Sequence, residues 1–417
     1  MSELRTRDVV DADLPAVLAI RNRSFGPLGT GGDAWWQRVS AETLGGRMIA
    51  VVDESDTVLG AGRIRPYEQA WGGRHLRMGG VAGVYVEPSA RGRGVATTLT
   101  RALITRMGEL GDVLSCLFPT TATLYRRSGY ELGGVQTRTT YAAHHLRDLG
   151  SSRTGRGSSH GLRPAMPADA ERMHELARAA SARHGASGPM VRPVTAYTGM
   201  LERGELIAYV VDGGFVVYDL SEEAVTVEEL VATTPDAAAT LWGVVGSGSS
   251  ATPTVHTYLD PRDPVALVLG GLPTTQVQQA PWMARVVDLE AAFERRGFGA
   301  HSSLEVALLV DDLEAPANAG LWTLTVSGGQ GTATRTAGAP VRGDGDTPVA
   351  DGITSNERAD GAAEEALRVG ARGLAALWCG WSVSRLRQAG LASGGSPDAD
   401  AALDTVFTCA PFITEYF

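Results

Sequence analysis

The sequence predicts a mixed α/β (α+β) protein built from three units, and three observations support this. The chain has 417 residues, more than a single hydrophobic core usually organises. A strand, turn and amphipathic helix over residues 4–25 return over residues 162–180. After residue 298 the pattern changes. We therefore predict a tandem duplication of one α/β unit followed by a different third unit. The domains are expected at residues 1–150, 151–290 and 291–417.

The two copies of the repeated unit begin alike. In the first, a turn centred on Asp11 and Asp13 leads into a helix. The apolar residues of that helix recur at helical spacing, namely Leu14, Val17, Leu18 and Phe25. In the second, Arg163 and Asp169 precede another amphipathic helix. A further echo follows, because "RMIAVVDE" near residue 50 corresponds to "ELIAYVVDGG" near residue 208.

The third unit has its own layout. "WMARVVDLEAAFERRGF" predicts a strand or turn followed by a helix over residues 282–298, and "SSLEVALLV" and "GLWTLTV" alternate like two antiparallel strands. "GAAEEALRVGARGLAALWCGWSVSRLRQAG" predicts helical structure broken at Gly370 and Gly373. Low-complexity stretches that begin at Ser151, Gly246 and Ser327 predict an interdomain linker and two loops within domains.

Composition limits the classes of partner. The 37 basic and 47 acidic residues give a net charge of −10, which argues against nucleic acid and favours a small cationic molecule. The charged start and the absence of a run of about 18 apolar residues predict a cytoplasmic protein that does not enter a membrane. Cys116, Cys379 and Cys409 are too scattered for a zinc site, so we expect no metal.

The stretch "GGVAGVYVEPSARGRGVATTLTRALITRM" carries the chemistry. A strand leads through a glycine-rich turn into a helix, which places free backbone N–H groups at the positive end of a helix dipole. Gly92 and Gly94 permit close approach of the backbone, and Arg91 and Arg93 add charged contacts. The turn therefore predicts a site for a phosphate or pyrophosphate. The buried side of the helix is expected to hold Val95, Leu99, Leu103 and Met107.

The spacing Arg91-x-x-Gly94-x-Ala96, after a Val-x-Val-x-Pro strand end, resembles the acetyl-CoA loop of the GNAT superfamily of N-acetyltransferases. The residues that this resemblance implies for acetyl-CoA binding are Val84, Tyr85, Val86, Arg91, Gly92, Arg93, Gly94, Val95, Ala96 and Thr120. "LYRRSGYELGG" places Tyr125 where many GNAT enzymes keep a tyrosine beside the CoA sulfur, so Tyr125 is the expected general acid and Tyr130 a core residue.

The second unit lacks this loop. At the equivalent place it reads "VTVEELVATTPDAAATLWGVV", with neither arginine nor glycine in the turn. A backbone without glycine cannot approach a phosphate closely, and no cation compensates. We therefore expect a degenerate GNAT-like unit that does not bind CoA.

Over its full length the chain resembles the Eis (enhanced intracellular survival) family of acetyltransferases. The resemblance includes the loop with Tyr125, "VDDLEAPANAGLWTLTV" and the closing "CAPFITEYF". It implies tandem GNAT folds, a C-terminal sterol-carrier-protein-like domain and a homo-hexamer. It also implies an acetyl-CoA-dependent acyltransferase for amines of small polyamines such as aminoglycosides, with the α-carboxylate of Phe417 as general base. The apolar tail, with Phe412, Ile413, Tyr416 and Phe417, is expected to be buried.

The acceptor pocket is expected beside the loop in "SFGPLGTGGDAWWQR". Phe25, Trp35 and Trp36 would line it, although adjacent helical residues diverge and only one tryptophan should face the pocket. Asp33 and Glu415 are candidate carboxylates for a cationic amine. Two other functions stay open at this point: acetylation of lysine in proteins or peptides, and non-catalytic binding of acetyl-CoA or lipid.

Overall fold

The computed structural model describes residues 3–153, 161–221, 223–269, 274–336 and 365–417. Most of the predicted linker after Ser151 and most of the low-complexity stretch after Ser327 lie outside the described residues. The stretch from Gly246 joins a helix to a strand within the second unit, as predicted. Across the described ranges, none of the helices has the length and apolar character needed to cross a membrane.

The first unit contains six strands and five α-helices in the part of the chain that the structure describes. Its strands are β1 (Arg5–Asp8), β2 (Met48–Val52), β3 (Val58–Trp71), β4 (Arg74–Val86), β5 (Leu114–Leu117) and β6 (Glu131–Ala142). Its helices are α1 (Leu14–Phe25), α2 (Gly32–Thr43), α3 (Val95–Glu109), α4 (Ala122–Arg127) and α5 (Ala143–Arg153). The predicted apolar side of α3 is buried at all four positions.

The second and third units follow in chain order. The strands of the second are β7 (Arg163–Pro164), β8 (Met190–Val191), β9 (Ile207–Val211), β10 (Gly214–Leu220), β11 (Val225–Ala232), β12 (Thr254–Thr257) and β13 (Thr274–Val286), and its helices are α6 (Ala170–Arg183), α7 (Val194–Arg203), α8 (Pro235–Gly246) and α9 (Val265–Val268). The third contains α10 (Leu289–Arg295), β14 (Leu304–Asp311), β15 (Gly320–Ser327), β16 (Gln330–Arg335), β17 (Leu367–Gly370), α11 (Ala371–Trp378), α12 (Val383–Gln388), β18 (Ala392–Gly394) and α13 (Pro397–Phe407).

The first two units share one sheet. Among the described strands its order is β1-β2-β3-β4-β5-β13-β6-β12-β11-β10-β9-β7, with β8 paired to β3. Strand β13, from the end of the second unit, lies between β5 and β6, and β6 also pairs with β12. Each unit thus completes its sheet with a strand from the other, which joins the two into one body. The residue boundaries of the domains stay predictions.

The starts of the two units are stabilised in the same way. Arg7 donates to Asp13 at 2.6 Å, and the same carboxylate accepts from a backbone N–H three residues earlier at 2.9 Å. In the second unit Arg163 donates to Asp169 at 2.7 Å, again with a backbone N–H three residues earlier at 2.8 Å. Identical spacing and partners support the tandem duplication that the sequence predicts.

The third unit carries a separate five-stranded sheet within the described residues, ordered β16-β15-β14-β17-β18. The two predicted strands, β14 and β15, pair antiparallel as expected. The helical prediction across residues 367–370 is wrong, because Leu367 and Val369 are buried alternately in β17 and pair with β14. Gly373 does not break a helix either. It lies inside α11, where the carbonyl oxygen of Leu391 leaves no room for a side chain.

Buried contacts join the third unit to the sheet that the first two units share. The rings of Trp71 and Trp378 lie 5.5 Å apart in a core that both units share. Arg285, on β13, donates to Asp312 at 2.7 Å, and both side chains are buried. These contacts hold the third unit where its C-terminal tail can reach the sheet of the first.

Candidate active site

A cleft opens in the first unit where strands β4 and β5 separate. The two strands are parallel and pair only over Met78–Gly80 and Leu114–Cys116. Strand β4 continues to Val86, with a bulge marked by Gly83 at a φ of +61°. Beyond Gly80, the edge of β4 that faces β5 has no partner among the described strands. Unpaired N–H and C=O groups on such an edge can bind an extended ligand.

The start of helix α3 forms the other side of this cleft. Gly94 is its N-cap residue with a φ of +87°, and no side chain caps the helix. A Cβ on Gly92 or Gly94 would meet no atom of the described residues within 4 Å. The first N–H groups of α3 therefore face open space at the positive end of the helix dipole. This geometry fits the phosphates of an acyl-CoA.

The other predicted acetyl-CoA residues surround this loop. Arg91 and Arg93 are exposed, and Ala96 is partly buried in the first turn of α3. Tyr85 points away from the loop, because its ring packs with the core of α1 and α2. It can therefore contact acetyl-CoA only through its backbone. Thr120 is exposed between β5 and α4.

Helix α8, the counterpart of α3 in the second unit, begins differently. Thr234 caps it, since its Oγ1 accepts from the backbone N–H of Ala237 at 3.1 Å. Pro235 follows and has no N–H to donate. Fewer N–H groups are therefore left for a phosphate at the start of α8 than at the start of α3, and the expectation that the second unit does not bind CoA stays a prediction.

Tyr125 lies on α4 beside the cleft. It is 6% exposed, and burial raises the pKa of its phenol to about 12. At neutral pH the hydroxyl is therefore protonated and can donate. Its ring meets Tyr130 edge-on at 6.0 Å. Tyr130 is fully buried and shares a hydrogen bond with Ser115 Oγ at 2.8 Å, which confirms the prediction that it is a core residue.

The C-terminal tail crosses from the third unit to the first. Phe412 N–H donates to Ser187 O at 3.2 Å, and Gln136 Nε2 donates to Thr414 O at 2.9 Å. Phe412 and Ile413 are buried as predicted. The prediction is wrong for Tyr416, which is 64% exposed, because one face of its ring packs on Phe118 and the other meets solvent.

Phe417 ends beside the cleft. A Cβ on Gly80 would lie 2.8 Å from Phe417 Cε2, so the ring sits directly on β4 at the last residue that pairs with β5. Tyr67 and Phe118 hold the ring, with centroids 5.2 and 5.6 Å from it. The last residue of the chain is thus fixed by aromatic contacts at the point where the cleft begins.

The expected acceptor residues differ in exposure and in the neighbours they contact. Phe25 is 53% exposed and meets Tyr85 edge-on, with centroids 5.7 Å apart. The tandem tryptophans diverge: Trp36 is buried in the core, whereas Trp35 lines an open cavity of about 300 Å³. Asp33 is exposed on the first turn of α2.

Glu415 has protein partners of its own. It accepts from Arg192 Nε at 3.0 Å and from the Tyr67 hydroxyl at 3.3 Å, and Arg65 lies 3.8 Å from it. Its charge is already compensated by two guanidinium groups. Glu415 therefore anchors the tail between both units, and its expected contact with a substrate amine stays a prediction.

Sequence reasoning missed a row of side chains on β3. Arg63, Arg65 and Tyr67 alternate on the face that carries the tail. Arg63 is 4% exposed, its guanidinium lies 5.4 Å above the Trp35 ring, and its Nε and Nη1 have no hydrogen-bond partner among the described residues. The period-two pattern of "RIRPY" could have indicated this row.

The comparisons with known proteins agree with this geometry. One family model, an acetyltransferase (GNAT) domain, matches residues 5–133, and a second matches residues 188–286. A sterol carrier protein domain matches residues 289–413. The tandem GNAT folds and the sterol-carrier-like third unit predicted from the sequence are confirmed.

Several solved structures resemble the whole chain. A GCN5-related N-acetyltransferase from Kribbella flavida has 38% identity and a TM-score of 0.89, over 100% of this chain and 99% of that one. A GCN5-related N-acetyltransferase from Anabaena variabilis has 20% identity and a TM-score of 0.80, over 100% of both chains. Eis1 from Mycobacterium abscessus has 19% identity and a TM-score of 0.71, also over 100% of both. At the two lower identities the likeness concerns the fold alone. No curated protein matched the chain.

The fold and the cleft together define an acyltransferase with two GNAT domains. Three matched domain models and a full-length relative at 38% identity point the same way. The chain belongs to the GCN5-related N-acetyltransferase family, which transfers acetyl groups from acetyl-CoA to an amine acceptor.

Proposed function

We propose that the first unit acetylates amines of small polycationic acceptors such as aminoglycosides. The observation that carries this proposal is the position of Phe417, whose ring packs on Gly80 where β4 and β5 part. The loop Arg91–Ala96 would hold the phosphates of acetyl-CoA, and the free edge of β4 at Val84–Val86 would hold its acyl end. Acetyl-CoA supplies an activated thioester when bound.

Tyr125 is the proposed general acid. Its phenol stays protonated throughout the physiological range, because burial raises its pKa to about 12. A thiol has an ordinary pKa of about 8.5, so complete proton transfer from this phenol to a thiolate is uphill by roughly 5 kcal/mol. Tyr125 is therefore expected to stabilise the leaving sulfur by donating a hydrogen bond while the negative charge develops.

The α-carboxylate of Phe417 is the proposed general base. A free α-carboxylate has a pKa of about 3.5 and is a poor base in water. The rings of Tyr67 and Phe118 pack around the Phe417 ring and would hold the attached carboxylate beside the cleft. A carboxylate at this place would also attract an ammonium group and accept its proton.

The acceptor would lie between the tail and helix α2. Phe25 and Trp35 offer aromatic surface, and exposed Asp33 offers a carboxylate for a second ammonium group. Membership of the Eis family, assembly as a homo-hexamer and a cytoplasmic location belong to the same proposal, and analytical ultracentrifugation would test the hexamer.

The experiment separates the terminal carboxylate from the terminal ring. Acetyl transfer is measured on kanamycin-like polyamines and on lysine peptides with the natural chain and two variants. Extension by two glycines moves the carboxylate and keeps the ring, whereas Phe417→Leu keeps the carboxylate and changes the ring. We expect the extension to lower kcat by about 100-fold and Phe417→Leu by less.

Tyr416→Ala provides the control. It removes an exposed side chain of the tail and leaves the terminal carboxylate on residue 417. Full activity of the extended protein on every acceptor would eliminate the base role. Faster turnover of lysine peptides than of polyamines would instead identify a protein acetyltransferase.

A further inference from the structure

A large cavity of about 490 Å³ lies in the second unit, where the first unit has its acetyl-CoA cleft. Strand β11 pairs with β12 only over Val225–Val227, and the residues of β11 that follow line the cavity. Helix α8 forms a second wall, as α3 does beside its own cleft. The duplicated unit has therefore kept the opening between its two parallel strands.

The walls of this cavity are mostly apolar. Trp242 from α8, Ala177 from α6, Leu230 from β11 and Phe412 from the tail are among the lining residues. The volume is in the range that holds a small organic molecule. An apolar body therefore suits this space.

CoA does not suit the cavity. At the start of α8 the N–H of Ala237 is already bound by Thr234, and Pro235 has no N–H, so fewer N–H groups are left for a phosphate than at the start of α3. Carboxylates of Glu229, Asp260 and Asp263 line the same space and would repel phosphates. The cavity of the second unit thus disfavours an anionic ligand.

The charged groups around the cavity favour a cation. Besides the three carboxylates, the lining contains Arg262 and His184. Arg262 lies 3.7 Å from Asp260 and is largely exposed, and His184 is exposed. The lining thus has three carboxylates against one arginine and a histidine, and Arg192, just outside the lining, pairs with Glu229.

One oxygen of Glu229 lacks a hydrogen-bond partner. Its Oε1 accepts from the Tyr197 hydroxyl at 2.7 Å. Its Oε2 is buried without a hydrogen-bond partner in the described part of the chain, and Arg192 Nη1 is 4.0 Å away. Burial raises the pKa of Glu229 and of Asp263, an effect that a bound cation would oppose.

We propose that this cavity binds a primary ammonium compound with a compact apolar body. The ammonium group would donate to Glu229 Oε2, and the body would pack against Trp242 and Phe412. The site is separate from the acetyl-transfer site of the first unit. Its ligand would contact the tail segment that ends in Phe417.

Calorimetric titration of the full chain without acetyl-CoA tests the proposal, with 2-phenylethylammonium as the probe and 2-phenylethanol as its neutral counterpart. We expect saturable binding of the ammonium, and binding of the alcohol weaker by about tenfold or more. Glu229→Gln should weaken ammonium binding by a similar factor. Asp236→Asn, which removes an exposed carboxylate of α8 outside the cavity, should leave it unchanged.

Two substitutions fill the cavity from opposite walls. Ala238→Leu acts from α8 and Ala180→Leu from α6. Alanine and leucine both favour helix, so neither substitution should disturb its helix. We expect each folded variant, checked by its thermal unfolding, to lose probe binding while keeping acetyl transfer. If the probe still bound to both variants, its binding site would lie elsewhere and the proposal would be overturned. Absence of saturable binding, or equal affinity for the alcohol, would overturn it as well. None of these outcomes depends on which acceptor the first unit acetylates.

Discussion

The two GNAT units differ most at the start of one helix. In the first unit Gly94 begins α3 in a left-handed conformation, and no side chain occupies the space before the helix. In the second unit Thr234 caps α8 with its own hydroxyl. The first start leaves its N–H groups uncapped, whereas the second binds one of them with a side chain of the protein.

This difference indicates how two units of one fold can differ in what the start of a single helix offers a ligand. A capping Thr contributes about 1 kcal/mol of stability, whereas an uncapped helix start gives that up. The scaffold around both helices is the same, as the matched pairs Arg7–Asp13 and Arg163–Asp169 indicate.

The largest expected effect comes from Tyr125→Phe. We expect kcat to fall by about 100- to 1000-fold, because the leaving sulfur loses its hydrogen-bond donor. The affinity for acetyl-CoA, measured by calorimetry, should change little. Tyr258→Phe is the matched control, since Tyr258 follows β12 in the second unit. An equal loss of kcat in both variants would contradict the assignment of catalysis to the first unit.

The next effect comes from Gly94→Ala. At a φ of +87° alanine strains the backbone, and its methyl would project into the open space before α3. We expect KM for acetyl-CoA to rise by about tenfold. Gly204→Ala in the second unit is the control, because Gly204 has a φ of +62° and equally open surroundings. Gly204→Ala should lower the stability of the protein by a similar amount without changing KM for acetyl-CoA. If it raised this KM as much as Gly94→Ala does, backbone strain alone would explain the effect.

Local features of this comparison could be predicted from the sequence. Glycine positions and apolar spacing report backbone conformation within a few residues, so the loop Arg91–Ala96 and the buried side of α3 were predicted correctly. Contacts between units have no such signature. Neither the place of β13 between β5 and β6 nor the pairing of Glu415 with Arg192 could be read from residues far apart in the chain. The strand β17 was missed because four residues beside helix formers carry too short a pattern.

A smaller effect is expected from Thr234→Ala. Removing the cap should lower the free energy of unfolding by about 1 kcal/mol, measured by denaturant titration. It should not create acetyl-CoA binding, because Pro235 still lacks an N–H and Glu229 and Asp263 still line the cavity. Ser89→Ala, an exposed change before α3, should leave stability unaltered. Acetyl-CoA binding to the second unit of the Thr234 variant would mean that the cap alone distinguishes the two units.

The smallest effect concerns the Arg–Asp pair that stabilises the start of each of the two units. Hydrogen bonds from Arg7 and Arg163 hold the pKa of Asp13 and of Asp169 below the ordinary value. A carboxylate whose pKa is lowered by folding stabilises the fold above its unfolded pKa of about 3.9, and that contribution disappears as the pH falls through the folded value. Asp13→Asn and Asp169→Asn should therefore lower the unfolding midpoint equally at pH 7, and by less than Thr234→Ala does. The difference between each variant and the natural chain should vanish toward pH 2. Exposed Asp11→Asn is the control. Unequal losses would show that the duplicated scaffold has diverged as well as the binding loop.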